Sequence, residues 1–166
     1  HTVNDYLSVY EKLKKINKGI EFSSDFIIGY PGESEQDFNN TVKLIKKINF
    51  INSYSFIYSS RPGTAAENLQ VIDKKISEKR LKIVQNILFQ NQINRHKSLE
   101  GEIVNVLVEN KMKDKIKLFG RTEFMTPVIF SGNIKNIGKI IQVKIKSSNQ
   151  NSLFGKLIEN YDQKVA

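Results

Sequence analysis

The hydrophobic period of this chain changes near Gly101, and the change limits each half to a different kind of fold. Upstream, apolar residues recur at helical spacing or gather in short unbroken runs. Downstream they alternate: Val104, Val106 and Val108, then Ile116 and Leu118, Val128 and Phe130, Ile141, Val143 and Ile145, and Leu153, Gly155 and Leu157. Alternation puts successive side chains on opposite faces of a strand. With Gly120, Gly132 and Gly138 between the segments, the pattern predicts an all-β, five-stranded antiparallel barrel of the OB type, or else a two-layer sandwich.

The first half predicts α/β structure. Tyr6, Val9, Tyr10, Leu13 and Ile16 share a helix face opened by a Thr2/Asp5 capping box and ended at Gly19. Residues 22–28 follow as a strand whose unbroken Phe26, Ile27 and Ile28 suit burial on both faces. The turn Gly29-Tyr30-Pro31-Gly32 stops that strand. Ser34 and Asp37 then form a second capping box, before a helix bearing Phe38, Val42, Ile45 and Ile48 on one face. Another strand spans residues 54–58. Helix, strand, helix, strand is the order of parallel βα units, in a (β/α) barrel or an open doubly wound sheet. Beyond Arg61-Pro62-Gly63-Thr64, residues 73–97 read as a long connecting helix with Leu81, Val84 and Leu88 as its core stripe, widened by Ile83 and Ile87. The expected domains are residues 1–96, α/β with the connecting helix, and residues 97–166, the β domain with a short tail.

Cysteine is absent, so this chain can hold neither a disulfide nor a thiolate-ligated zinc or iron-sulfur site. The two histidines, His1 and His96, cannot form a metal site alone and read as ordinary surface or helix residues. No apolar run approaches the roughly 20 residues of a membrane span, so a soluble protein is expected. A first residue other than Met, with no signal-peptide pattern behind it, suggests a chain cut from something longer. The net charge of +9 favours polyanionic partners, although a Lys-, Ile- and Asn-rich composition accounts for such an excess equally well. Residues 97–160 carry 11 Lys and Arg against 6 Asp and Glu. Within them Lys113, Lys115, Lys117 and Arg121 cluster around Phe119. Cations neutralise phosphates, and exposed aromatic faces stack on unpaired bases. Phe119 shares parity with Lys115 and Lys117, which places it on the solvent face; Phe124 and Phe154 are open to either role, and Phe130 is core.

Four blocks, in order, carry a resemblance. They are Ser24-Asp25-Phe26-Ile27-Ile28-Gly29-Tyr30-Pro31-Gly32-Glu33, Tyr54-Ser55-Phe56-Ile57-Tyr58-Ser59-Ser60-Arg61-Pro62-Gly63-Thr64-Ala65-Ala66, Gly120-Arg121-Thr122 and Asn151-Ser152-Leu153-Phe154-Gly155. Together they resemble the MiaB-type radical S-adenosylmethionine methylthiotransferases, which add a methylthio group to isopentenyladenosine beside the tRNA anticodon. A sibling family that modifies a ribosomal protein usually has an acidic pair where Arg61-Pro62 stands. A relative acting on threonylcarbamoyl-adenosine in tRNA keeps the Arg but typically reads His-Val-Phe in place of Tyr54-Ser55-Phe56, and it is the alternative.

The resemblance implies the last βα units of a radical S-adenosylmethionine barrel followed by a TRAM domain, an RNA-binding β-barrel. It further implies S-adenosylmethionine and two [4Fe-4S] clusters in the full-length enzyme, with cluster cysteines upstream of this chain, which alone is expected to be inert. A cytoplasmic monomer that binds the tRNA anticodon stem-loop is expected; the competing class is a freestanding TRAM-type RNA-binding module. Barrels of this type hold adenine at a late strand with the loose pattern Gly-x-Ile-x-Gly-x-x-Glu. Asp25, Ile27 and Gly29 fall on it, with Asp25 in the first glycine position and the acid one residue late at Glu33. The same residues also read as a plain strand-to-helix turn, bent by Pro31-Gly32. Arg61 would pair with a phosphate or the methionine carboxylate, or else pin its own turn to an acid. Lys113, Lys115, Lys117, Phe119 and Arg121 are the expected RNA contacts.

Overall fold

Thr2 opens helix α1 (Val3–Ile16) by the capping box read from sequence: its hydroxyl accepts the Asp5 N–H at 3.2 Å, and the Asp5 carboxylate accepts the Thr2 N–H at 2.8 Å. In this computed structural model, which describes residues 2–113 and 117–158, the same device recurs at Ser34 and Asp37 to start α2 (Glu35–Ile48). Asp73 caps α3 (Lys74–Ser98) by accepting the N–H groups of Lys75 and Ile76. Strand β1 (Asp25–Ile28) precedes α2, and β2 (Tyr54–Ile57) follows it and pairs parallel with β1 in the register Asp25 to Tyr54 through Ile28 to Ile57. This is one βαβ unit.

The chain divides into two compact units, residues 1–92 and 93–166. The core of the first unites Phe26 and Ile28 of β1, Phe38, Ile45 and Ile48 of α2, Phe50, and Val84 and Leu88 of α3, with Leu81 and Ile87 packed against it. Two expectations need correction. The early strand is confined to Asp25–Ile28, and it is buried on one face only: Phe26 and Ile28 point inward while Ile27 is 59% exposed. The helices of this unit cover a single side of the two-stranded sheet, leaving Ile27, Tyr54 and Phe56 on the other side exposed. Ile83 is also exposed, so the core stripe of α3 is widened by Ile87 alone.

The second unit is a closed barrel of β3 (Ile103–Lys111), β4 (Lys117–Thr122), β5 (Pro127–Ser131), β6 (Ile140–Ser148) and β7 (Leu153–Leu157), in the ring order β3-β4-β5-β7-β6. Closure excludes the sandwich. It also corrects the all-antiparallel expectation, because β5 and β7 run parallel. Strands whose neighbours are all antiparallel must alternate in direction, and a closed ring of five cannot alternate all the way round. Val106, Val108, Leu118, Val128, Phe130, Val143, Ile145 and Leu153 fill the interior. Gly120 lies where β4 meets β3 so closely that a Cβ would run into the Leu107 carbonyl oxygen and the Val106 side chain.

Further differences concern single residues. His96 is a residue of α3, the second of the two places expected for it, and it is buried there, with Nδ1 2.9 Å from the Asn149 carbonyl oxygen. Lys113 does not continue the strand that bears Lys117: the Met112 N–H donates to the Lys117 carbonyl and closes a hairpin, so Lys113 sits in its turn. His1, Lys115, Ile116 and the tail at 161–166 lie outside the described residues. No helix among the described residues is long and apolar enough to cross a membrane.

Candidate nucleic-acid interface and ligand cleft

The first site begins where β1 ends. Gly29 has φ +74°, in the left-handed region, and a Cβ there would collide with the Ser77 side chain. Its N–H donates to the Glu33 carboxylate at 3.1 Å. Glu33 in turn accepts from Arg80 at 2.7 Å, and the other guanidinium nitrogen reaches Glu35 at 2.9 Å. Arg80 is 7% exposed and lies over the Phe38 ring at 5.2 Å. Burial alone would disfavour its charge, but hydrogen bonds to Glu35 and Glu33 outweigh that and raise its pKa above the ordinary value. The turn after β1 is thus held by a buried ion pair. Arg80 is not legible as a site residue in the sequence, because its place in a helical repeat gives no sign that it meets residues more than 40 positions earlier.

Beyond the turn lies an open cleft of about 380 Å³ lined by Ile27, Tyr30, Phe56, Tyr58, Arg61 and Ala66, among others. Tyr30 and Tyr58 meet edge to face at 5.1 Å, and the Tyr58 hydroxyl donates to the Ala66 carbonyl at 3.0 Å. The structure brings Ile27 and Arg61 to one cleft. It does not bring Asp25, which stands at the opposite end of β1, or Gly29, which is buried against Ser77. The turn after β2 is held by the Glu67 carboxylate, which accepts the Gly63 N–H at 2.8 Å, and Arg61 pairs with no acid among the described residues. Ile27, Tyr30 and Phe56 form an apolar wall of the kind an adenine ring needs, and Arg61 offers a cation beside it. The described residues hold no cluster of metal ligands.

The second site is the outer face of β4. Leu118, Gly120 and Thr122 point inward, and Lys117, Phe119 and Arg121 point out. Arg121 is already engaged: one guanidinium nitrogen lies 2.7 Å from both carboxylate oxygens of Glu109, and the group sits 5.2 Å from the Phe119 ring centre. Its charge is therefore matched within the domain, and it clamps Phe119 in place. Lys113 lies in the adjoining turn, exposed. Glu109 was not legible as a partner, because the sequence does not give the register of β3 against β4, which shifts between Val108 and Asn110.

Residues 97–158 match the TRAM domain family, and a closed five-stranded barrel built on those residues is what such a domain requires. The second unit is a TRAM domain. Over its full length the chain is 69% identical to a tRNA-2-methylthio-N(6)-dimethylallyladenosine synthase of Pelagibacter ubique (strain HTCC1062), of which it covers 37%. Synthases of the same name from Ruthia magnifica subsp. Calyptogena magnifica and Shewanella sp. (strain W3-18-1) are 46% and 41% identical over 95% and 98% of the chain, which covers 36% and 35% of them. Over its whole length the chain is similar to the MiaB-type methylthiotransferases that its four sequence blocks resemble, and it spans about a third of the length of the curated relatives it matches.

Proposed function

We propose that this chain is part of a radical S-adenosylmethionine tRNA methylthiotransferase that adds a methylthio group at C2 of N6-isopentenyladenosine beside the anticodon. One observation carries the reading: similarity over the whole chain to synthases whose names specify that modified nucleoside. In the first unit, Ile27, with Tyr30 and Phe56, would face the adenine of S-adenosylmethionine, and Arg61 would meet its carboxylate or a substrate phosphate. Gly29 would act by shaping the turn, and Asp25, which does not line the cleft, would act from the start of β1. S-adenosylmethionine bound with an iron-sulfur cluster supplies the radical chemistry. The ligands of both [4Fe-4S] clusters are assigned to sequence outside this chain, which has no cysteine. The TRAM domain would hold the anticodon stem-loop through the Lys113 to Arg121 region, Lys115 included. The whole enzyme would work as a cytoplasmic monomer.

A chimera tests this. The corresponding segment of the Pelagibacter synthase is replaced by this chain, and tRNA nucleosides from a host lacking its own methylthiotransferase are analysed by mass spectrometry. Methylthiolated isopentenyladenosine is expected. Methylthiolated threonylcarbamoyl-adenosine would point to the other tRNA enzyme, and neither product from a folded, cluster-loaded chimera would overturn the assignment.

A further inference from the structure

The register of the barrel carries the outer face of β4 across two further strands. Phe119 pairs with Ile129 of β5, and Ile129 pairs with Phe154 of β7. All three side chains point outward, as their inward neighbours Leu118, Val128, Phe130 and Leu153 show, and none belongs to the interior cluster. They form one apolar row on the outside of a domain whose interior is already filled. Two residues further along the same strands, Lys117 pairs with Ser131, Ser131 with Lys156, and Lys156 with Lys144 of β6. That second row is exposed throughout and carries three lysines; neither row contains an acid.

Strands lie about 4.8 Å apart, so the apolar row extends roughly 10 Å, with the lysine row displaced by about 7 Å along the strands. Half-buried aromatic rings in line, with a parallel line of cations beside them, match a nucleic-acid strand whose bases have left the stack while its phosphates remain charged. A duplex presents the phosphates but not the open base faces. We propose that the β4-β5-β7 face of this domain binds unpaired RNA nucleotides, stacked along Phe119, Ile129 and Phe154 with their phosphates on Lys117, Lys156 and Lys144. The inference rests on the RNA-binding reading of the TRAM domain and extends it from one strand to three, and from RNA in general to its unpaired segments.

The test uses the full chain, a fluorescein-labelled single-stranded RNA and the same strand annealed to its complement, with binding followed by fluorescence anisotropy over a salt series. Phe154→Ala should weaken single-strand binding roughly 5- to 150-fold and leave duplex binding nearly unchanged. Phe154→Leu, which keeps apolar cover but removes the ring, serves if the alanine variant melts early. Lys144→Gln with Lys156→Gln should lower the salt slope by about 1.4, close to two single-strand phosphate contacts. If Phe154→Leu binds like the parent while Phe119→Leu does not, the site ends at β4 and the three-strand row is wrong. Equal binding of duplex and single strand would also overturn it. Failure of the parent chain to bind either RNA would sink the RNA-binding reading itself, and a change in self-association on sedimentation, without a change in RNA affinity, would mark the face as a protein contact.

Discussion

At the scale of single residues, two charged side chains have structural duties that their sequence context concealed. Arg80 is buried against Glu33, whose side chain is itself only 10% exposed, whereas Glu35 is 73% exposed. Arg80→Met should therefore destabilise the first unit by about 3 kcal/mol or more in urea denaturation, because it strands the Glu33 charge, while Glu35→Ala should change stability by only about 0.5 kcal/mol. Gly29→Ala combines a left-handed backbone with a collision at Ser77, and should cost more than the roughly 1 kcal/mol of an ordinary incompatible glycine replacement. Shortening the neighbour as well, in Gly29→Ala with Ser77→Gly, should recover part of that loss. At the barrel, Glu109→Gln should release Arg121 toward phosphate, so that RNA binding strengthens and its salt slope steepens by about 0.7. A weaker complex would show that Arg121 acts only by holding Phe119.

At the scale of elements, helix starts were the most legible feature, because a capping box is a contact among residues three apart and needs nothing from the rest of the fold. Hydrogen bonds from Thr2 and Ser34 hold the Asp5 and Asp37 carboxyls below their ordinary pKa. A lowered folded-state value means that the stabilisation is complete above the ordinary aspartate pKa and is lost as pH falls through the lowered one. Helicity of α1 and α2 should thus fray on acidification below the normal carboxylate range, and Asp37→Asn should remove that pH dependence from α2; circular dichroism with residue-level NMR shifts would show an unchanged titration if the boxes contribute nothing. Strands were less legible. The run Phe26, Ile27 and Ile28 has no alternation from which to tell one covered face from two, and the structure covers one. In β4 the alternation was present, so the outward placement of Lys117 and Phe119 followed from sequence, but the start of the strand depended on a hairpin that excludes Lys113.

At the scale of the whole molecule, the two units differ in how their backbones are satisfied. Closing β3 to β7 into a ring leaves no free edge, whereas β1 and β2 form a two-stranded sheet with Tyr54 and Phe56 exposed. Amide exchange on the full chain should therefore be slower across the barrel strands than in β1 and β2, and the reverse order would contradict this account. Under the proposed function, anaerobic reconstitution of the purified chain should leave no stoichiometric iron after gel filtration, since no thiolate is available to hold it. By itself the sequence determined the change from helical to alternating period, the helix caps, the inward parity of the barrel residues and, through four short blocks, the resemblance to a family. These depend on neighbours a few positions apart, or on residue identity alone. Only the tertiary structure decided that β5 meets β7 in parallel, that Arg80 locks the turn after β1, and that Phe119, Ile129 and Phe154 lie in one row. Each of those is a pairing between distant segments, set by ring closure and strand register, and no local pattern encodes it.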